Sequence, residues 1–214
     1  MLSNLSGYQT ILLFGGSFDP PHRAHTRLPQ RVAKLIGADL IAYIPAGRAP
    51  HKLDRVQTDP RHRLAMLRLA LADEPGEIPT KALTIEVDQG PDDPSYTVDT
   101  LETLSKQIDP GTTLRLLIGA DQLRIFDSWR KPERVIELAE PVVMVRPPDT
   151  HPSLLASLAP EQRETWADRL VQADTIDLSS TQLRDKVAAG ESIAQWIPAP
   201  VCSYIMEHGL YQDG

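Results

Sequence analysis

A single cysteine, Cys202, stands in the 214 residues, so no intrachain disulfide can form and a cysteine-based metal site is disfavoured. Basic residues are outnumbered 22 to 29, for a formal net charge of −7. That balance argues against a general nucleic-acid coat or an anionic membrane surface as partner. It leaves room for an anionic small molecule, because a local basic pocket can overrule the global sign. No stretch approaches the roughly 18 apolar residues that span a bilayer. The start lacks the basic-then-apolar pattern of a secretory signal. There is no internal repeat and no low-complexity tract. What remains, at 41% hydrophobic and 24% charged, is an ordinary globular composition, expected in the cytoplasm. The length suits one domain over 1–214, with the main sheet region at 10–147 and a C-terminal part at 148–214.

The stretch GGSFDPPHRAH at 15–25 organises the chain. The apolar run Ile11, Leu12, Leu13, Phe14 before it predicts a short buried strand. Gly15 and Gly16 follow at the strand end, where the chain must turn and where backbone can approach a ligand closely. After Asp19 and two prolines a helix is expected to begin near His22. His22 and His25 are three apart and share a face, beside helix amides and a positive dipole end suited to phosphate.

Residues 23–36 suit a helix, with Leu28, Val32, Leu35 and Ile36 inward, Pro29 as a kink or later start, and Gly37 as the end. A second strand is expected at 40–44. The polar segment 45–58, with Arg48, Pro50, His51 and Lys52, is a loop at that strand's carboxyl end. A helix over about 60–72 places Leu64, Leu67 and Leu71 on one face, and the alternation at 83–87 predicts a third strand. Ser95 is expected to cap a helix burying Val98, Leu101, Leu104 and Ile108. A fourth strand at 114–118 ends in Gly119, Ala120, Asp121. A helical stretch with Phe126 and Trp129, another over 132–139 and a fifth strand at 141–145 ending at Arg146 follow. Short helices near Leu154 and Gln162, a strand at 175–178, a helix capped at Ser179–Ser180–Thr181 burying Leu183, Val187 and Ala188, and a last helix over 199–208 complete the pass. Strands alternating with helices imply an α/β fold with a doubly wound, Rossmann-like parallel sheet and a small C-terminal helical part. In such sheets ligands bind beyond the carboxyl strand ends, where the loops 15–25, 45–52, 119–121 and the one after Val145 all lie.

An H-x-x-H pair alone is weak: it also suits a zinc site or plain surface polarity. Set after a strand and before a helix in GGSFDPPH it is strong, because displacement at a nucleotide's α-phosphate builds negative charge that preorganised donors stabilise. Ser179, Ser180 and Thr181 offer hydroxyls and amides at a helix start, with Arg184 offering a guanidinium fork for phosphate. An ordinary N-cap with a solvated arginine would look the same; co-occurrence with the first element favours the phosphate reading.

HRAH at 22–25 and SSTQLR at 179–184 resemble the paired (T/H)xGH-type and (S/T)xxR-type signatures of the nucleotidyltransferase superfamily. Ala24 departs from the usual glycine, adding a methyl that leaves helix geometry intact while crowding the nucleotide side. PAGRAPHK, PSYTVDTL, LIGADQLRIFDSW, VVMVRP and the terminal HGLY, in order over 12–211, resemble the nicotinate-nucleotide adenylyltransferase family. The resemblance implies transfer of AMP from ATP to nicotinate mononucleotide, giving deamido-NAD and pyrophosphate, with Mg2+ arriving on ATP. It assigns His22, His25 and Arg184 to catalysis, and Gly15, Gly16, Ser17, Phe18, Gly119, Asp121, Ser179, Ser180 and Thr181 to ATP. Tyr96, Thr97 and Trp129 would form the pyridine pocket, with His51, Lys52 and Arg146 on the mononucleotide or phosphates. Trp129 is equally readable as a core aromatic beside Phe126, and Arg48 departs from the small or amide residue usual near its position. Alternative acceptors are nicotinamide mononucleotide and phosphopantetheine; the alternative class is a non-catalytic nucleotide-binding regulator.

Overall fold

The computed structural model describes residues 5–47, 57–89, 94–173 and 179–212. In chain order the elements are β1 (Thr10–Gly16), α1 (Arg23–Ile36), β2 (Leu40–Pro45), α2 (Pro60–Asp73), β3 (Thr80–Ala82), α3 (Thr97–Leu104), β4 (Thr113–Gly119) and α4 (Ala120–Arg124). There follow α5 (Pro132–Leu138), β5 (Glu140–Val145), α6 (His151–Ala156), α7 (Pro160–Ala167), β6 (Leu170–Gln172), α8 (Ser180–Ala188) and α9 (Ala199–Glu207). The six described strands form one sheet in the order β3-β2-β1-β4-β5-β6, with every pairing parallel. The order reverses between β1 and β4, which opens a crevice beyond their carboxyl ends.

Apolar residues fill both faces of the central strands, which is why those strands are continuous hydrophobic runs. Ile11, Leu13, Leu116, Ile118, Val143 and Val145 pack toward α3, α5 and α6. Leu12, Ile41, Tyr43, Leu117 and Val142 pack toward Leu28 and Val32 of α1 and Leu67 of α2. A third cluster sits outside the sheet. There Met66 and Ala70, from the other side of α2, meet Leu183 of α8 and Ile193, Ile197, Val201 and Ile205 in and before α9. Because α2 is apolar on two sides, it clamps the C-terminal helices beside the end of β1.

Four local expectations are corrected. The third strand is Thr80–Ala82 rather than 83–87. The Leu83 amide still bonds to Tyr43, but the Asp88 amide then donates to the Thr84 carbonyl, and the Thr84 hydroxyl donates to Asp88 Oδ2 at 2.6 Å. These local bonds turn the chain away from the sheet edge. Ser95 is not a cap: Tyr96 precedes α3, and the Ser95 hydroxyl donates instead to Gln89. Leu35 is 68% exposed. A strip of i, i+4 residues rotates along a helix, so by the last turn of α1 the inward positions are Val32 and Ala33. Ala188 is exposed in the last turn of α8, while Leu183 is fully buried. The expected strand at 175–178 lies outside the described residues.

Pro29 sits inside α1 without ending it. A residue at that place would give its amide to the carbonyl of His25, four positions back, and proline has none to give. The hydroxyl of Tyr43 takes over, donating to the His25 carbonyl at 3.0 Å from a fully buried position on β2. The helix thus continues, and the backbone of His25 is bound to the sheet.

Candidate active site

His22 is the N-cap of α1 and His25 lies in its first turn. Their rings stack with centroids 3.7 Å apart, and the His22 amide donates to His25 Nδ1 at 3.2 Å. That bond makes Nδ1 an acceptor, so the neutral His25 ring carries its proton on Nε2. Under the pair lies an aromatic floor. The Phe18 ring meets His25 edge-on at 5.1 Å and also touches Phe14 and Tyr43. Phe18 is held at φ 50°, and its ring stands 2.9 Å from where a Gly16 Cβ would be, so glycine is needed at 16. Because this ring is buried in the apolar cluster, it belongs to the support beneath the turn and does not line the cavity.

His22 is 4% exposed, and its Nδ1 has no hydrogen-bond partner among the described residues. Burial first, and the nearby charge of Arg146 second, lower its pKa to about 4. The ring is therefore neutral at pH 7, with a buried polar nitrogen left unmatched. Arg146, one residue past β5, is thus near enough for its charge to act on His22.

Ser179 caps α8, its hydroxyl accepting from the Gln182 amide at 3.2 Å while Gln182 Oε1 accepts from the Ser179 amide. From the first turns of α8, Arg184 Nη1 donates to the Asp19 carbonyl at 2.8 Å and Ser180 Oγ to the Pro20 carbonyl at 2.9 Å. Arg184 Nη2 also reaches Thr181 Oγ1 at 3.2 Å. Two motifs about 160 residues apart are therefore in direct contact, and the guanidinium retains donors beyond these bonds.

A cavity of about 260 Å³ opens beside this turn, its wall including Gly15, Ser17, Glu86, Tyr96, Thr97 and Trp129. Trp129 serves both readings, lining the cavity while its ring packs on Phe126 at 5.0 Å. Gly119 caps α4, and the carboxylate of exposed Asp121 folds back over it, 2.4 Å from where a Gly119 Cβ would stand. Both lie at the β4 end, outside the cavity lining. Ala24 is buried with Leu12, Phe18 and Leu28, so its methyl packs in the apolar cluster. Arg48, His51 and Lys52 lie outside the described residues.

Three contributors were not singled out in the sequence. Arg63 on α2 is wholly buried and donates to the carbonyls of Thr58, Ser17, Ala46 and Gly47 at 2.6–3.0 Å, joining the loops after β1 and β2. Glu86 lines the cavity and accepts from the Thr100 hydroxyl at 2.8 Å, and burial raises its pKa. Arg130 also lines it, lying over the Tyr96 ring and paired with Asp99 at 3.1 Å. Position alone marks them; only the out-of-place charge within the apolar pattern of α2 hints at Arg63. Among the described residues no three His, Cys, Asp or Glu side chains are grouped to hold a metal ion, and no helix is long and apolar enough to cross a membrane.

The cytidylyltransferase-like family model matches residues 13–186. A protein of Roseiflexus sp. (strain RS-1) named as a probable nicotinate-nucleotide adenylyltransferase is 38% identical over 204 residues, covering 94% of this chain and 98% of that one. A protein of Bacillus pumilus (strain SAFR-032) with the same name is 32% identical, covering 95% and 98%. Among solved structures, Plasmodium falciparum nicotinic acid mononucleotide adenylyltransferase complexed with NaAD superposes with a TM-score of 0.73 at 19% identity, over 96% of this chain and 98% of that one. At that identity the superposition speaks for the doubly wound fold. With full-length relatives above 30% identity and a family model over most of the chain, this protein belongs to the nicotinate-nucleotide adenylyltransferase family of cytidylyltransferase-like proteins.

Proposed function

We propose that the protein transfers AMP from ATP to nicotinate mononucleotide, releasing pyrophosphate and forming deamido-NAD, a step of NAD biosynthesis. The observation that carries the site reading is the contact of Arg184 and Ser180 with the Asp19–Pro20 turn. It sets a second group of phosphate donors beside the stacked His22 and His25. A phosphate oxygen of the mononucleotide attacks the α-phosphorus of ATP, one P–O bond forms, and the bond to the bridging oxygen of the leaving pyrophosphate breaks. Negative charge grows on the α-phosphate oxygens and on the leaving group. His22, His25 and Arg184 would donate to both, the kind of stabilisation in which one donor is worth roughly 10²–10³ in rate.

The neutral, unmatched His22 supports this role, since a bound polyphosphate would supply both an acceptor and the negative charge that favours its protonated form. Gly15, Gly16, Ser17 and the backbone of Phe18 border the nucleotide's phosphates, joined by Ser179, Ser180 and Thr181 at the start of α8. Gly119 and Asp121 at the β4 end suit the adenosine ribose, whose hydroxyls a carboxylate can accept. Tyr96, Thr97 and Trp129 on the cavity wall suit the pyridine ring, with an indole to stack on it. Arg146, whose charge already acts on His22, would act on the phosphates, and His51 and Lys52 join by family resemblance alone. Mg2+ carried on ATP, held largely by phosphates and water, would add charge neutralisation. Use of ATP and the single cysteine suit the cytoplasm.

The test is to incubate the purified protein with ATP, magnesium and, separately, nicotinate mononucleotide, nicotinamide mononucleotide or phosphopantetheine, following pyrophosphate and the product's mass. The expected result is fastest turnover with the nicotinate compound. Equal turnover with phosphopantetheine, or none with nicotinate mononucleotide, overturns the assignment.

A further inference from the structure

The last described turn of the chain reaches back to the loop that carries the histidines. Tyr211 donates its hydroxyl to Asp19 Oδ1 at 2.6 Å, a bond spanning 192 residues. Asp19 is buried, its Oδ2 faces the Thr58 amide at 3.4 Å, and its carbonyl is the one that accepts from Arg184. Arg63 holds the Ser17 carbonyl and Ser180 that of Pro20. The turn from Ser17 to Pro20 is thus gripped by α2, by α8 and by the segment after α9, and it delivers the chain directly into His22.

The tyrosine reaches this place at a conformational cost. Tyr211 is at φ 63°, in the left-handed region that side chains other than those of glycine and asparagine rarely adopt, two residues after Gly209 at φ 59°. The turn aims the phenol inward toward Asp19 and Met66 of α2. A short hydrogen bond to a carboxylate is among the stronger kinds and offsets that cost. Burial, with the Asp19 charge beside it, pushes the phenol pKa up, so it remains a donor throughout the working pH range.

We propose that Tyr211 is a positioning residue for adenylyl transfer, fixing Asp19 and through it the turn that aims His22 and His25 at the phosphates of the nucleotide. The inference rests on the site reading given above. It separates Tyr211 from Tyr204, which lies on α9 in the same C-terminal unit but whose hydroxyl shares a hydrogen bond with His62 Nδ1 on α2, at 2.8 Å.

The experiment compares Tyr211→Phe with Tyr204→Phe, measuring kcat, the KM of each substrate and the melting temperature, with the parent and His25→Ala in the same assay. Removing one hydroxyl keeps the ring packed in either variant. Since small misplacements of reacting groups cost up to roughly 10²-fold, Tyr211→Phe is expected to lower kcat about tenfold with KM values within about twofold, and to melt several degrees lower because the buried Asp19 carboxylate loses its donor, while staying folded at the assay temperature. Tyr204→Phe is expected to retain the parent kcat. In an Asp19→Ala background, Tyr211→Phe should lower kcat little further, because the carboxylate through which it acts on the turn is gone. A Tyr211→Phe kcat within twofold of the parent overturns the proposal. So do equal losses in the two tyrosine variants, or a full further loss in the Asp19→Ala background. A parent preparation that is no faster than His25→Ala indicts the site reading instead.

Discussion

Replacing Arg63 with leucine should cost more stability than any other single change at a charged residue described above. The side chain is 0% exposed and its guanidinium meets four carbonyls, those of Thr58, Ser17, Ala46 and Gly47, at 2.8, 2.7, 2.6 and 3.0 Å. An acceptor buried without a partner costs about 1–3 kcal/mol, so four orphaned together would cost roughly 4–12 kcal/mol. Two terms reduce that sum. Ser17 and Ala46 border the cavity, where water can take over part of the bonding, and leucine buries apolar surface that arginine does not. Removing one partner from a buried charged network generally costs about 3–5 kcal/mol, and a loss of about 4 kcal/mol is the expected value. For a chain of this size that is a fall of roughly 8–16 °C in melting temperature. Urea denaturation of Arg63→Leu and the parent, followed by circular dichroism, measures it. Arg63→Lys keeps the charge but presents one ammonium where a planar fork spans two loops, so it should lose about half as much. A loss under about 1 kcal/mol in Arg63→Leu would mean that the four bonds are not what joins the loops after β1 and β2.

The buried, neutral His22 makes stability depend on pH. Its folded pKa of about 4 lies below the ordinary 6.5, so the unfolded chain binds the extra proton between those values and stability falls as pH drops through that window. The loss should reach about 2 kcal/mol by pH 5, and His22→Gln should lack this part of the slope in urea titrations at pH 7 and pH 5; an unchanged slope contradicts the assignment. Tyr43→Phe should cost about 1–3 kcal/mol by orphaning the His25 carbonyl. Adding Pro29→Ala, which restores an amide four residues on, should recover much of it. Parent-like stability in Tyr43→Phe, or no recovery in the pair, refutes the exchange of one donor for the other.

The central strands were legible because they are buried on both faces, so Ile11 to Phe14 and Val142 to Val145 appear as apolar runs. Strand β3 was not, since an edge strand of three half-buried residues, Thr80 to Ala82, needs no apolar signature. The more regular alternation after it was diverted by the bonds between Thr84 and Asp88. HRAH and SSTQLR were readable as local motifs with helix starts. Their contact was not, because it depends on α2 burying two sides, one against the sheet and one against α8 and α9. Arg63 was hidden for the same reason: its partners come from three segments that only the finished fold assembles. Pro29 looked like a defect in α1 because its compensation, the Tyr43 hydroxyl, lies on a different element.

The most direct test of the whole account is the turnover of His25→Ala. His25 Nδ1 accepts from the His22 amide, while the aromatic floor of Phe14, Phe18 and Tyr43 stays in place without the imidazole. The fold should therefore survive, checked by circular dichroism and melting. Pyrophosphate release with ATP, magnesium and nicotinate mononucleotide should fall roughly a hundredfold or more. Turnover equal to the parent's in a folded variant would contradict the claim that the histidine pair performs adenylyl transfer.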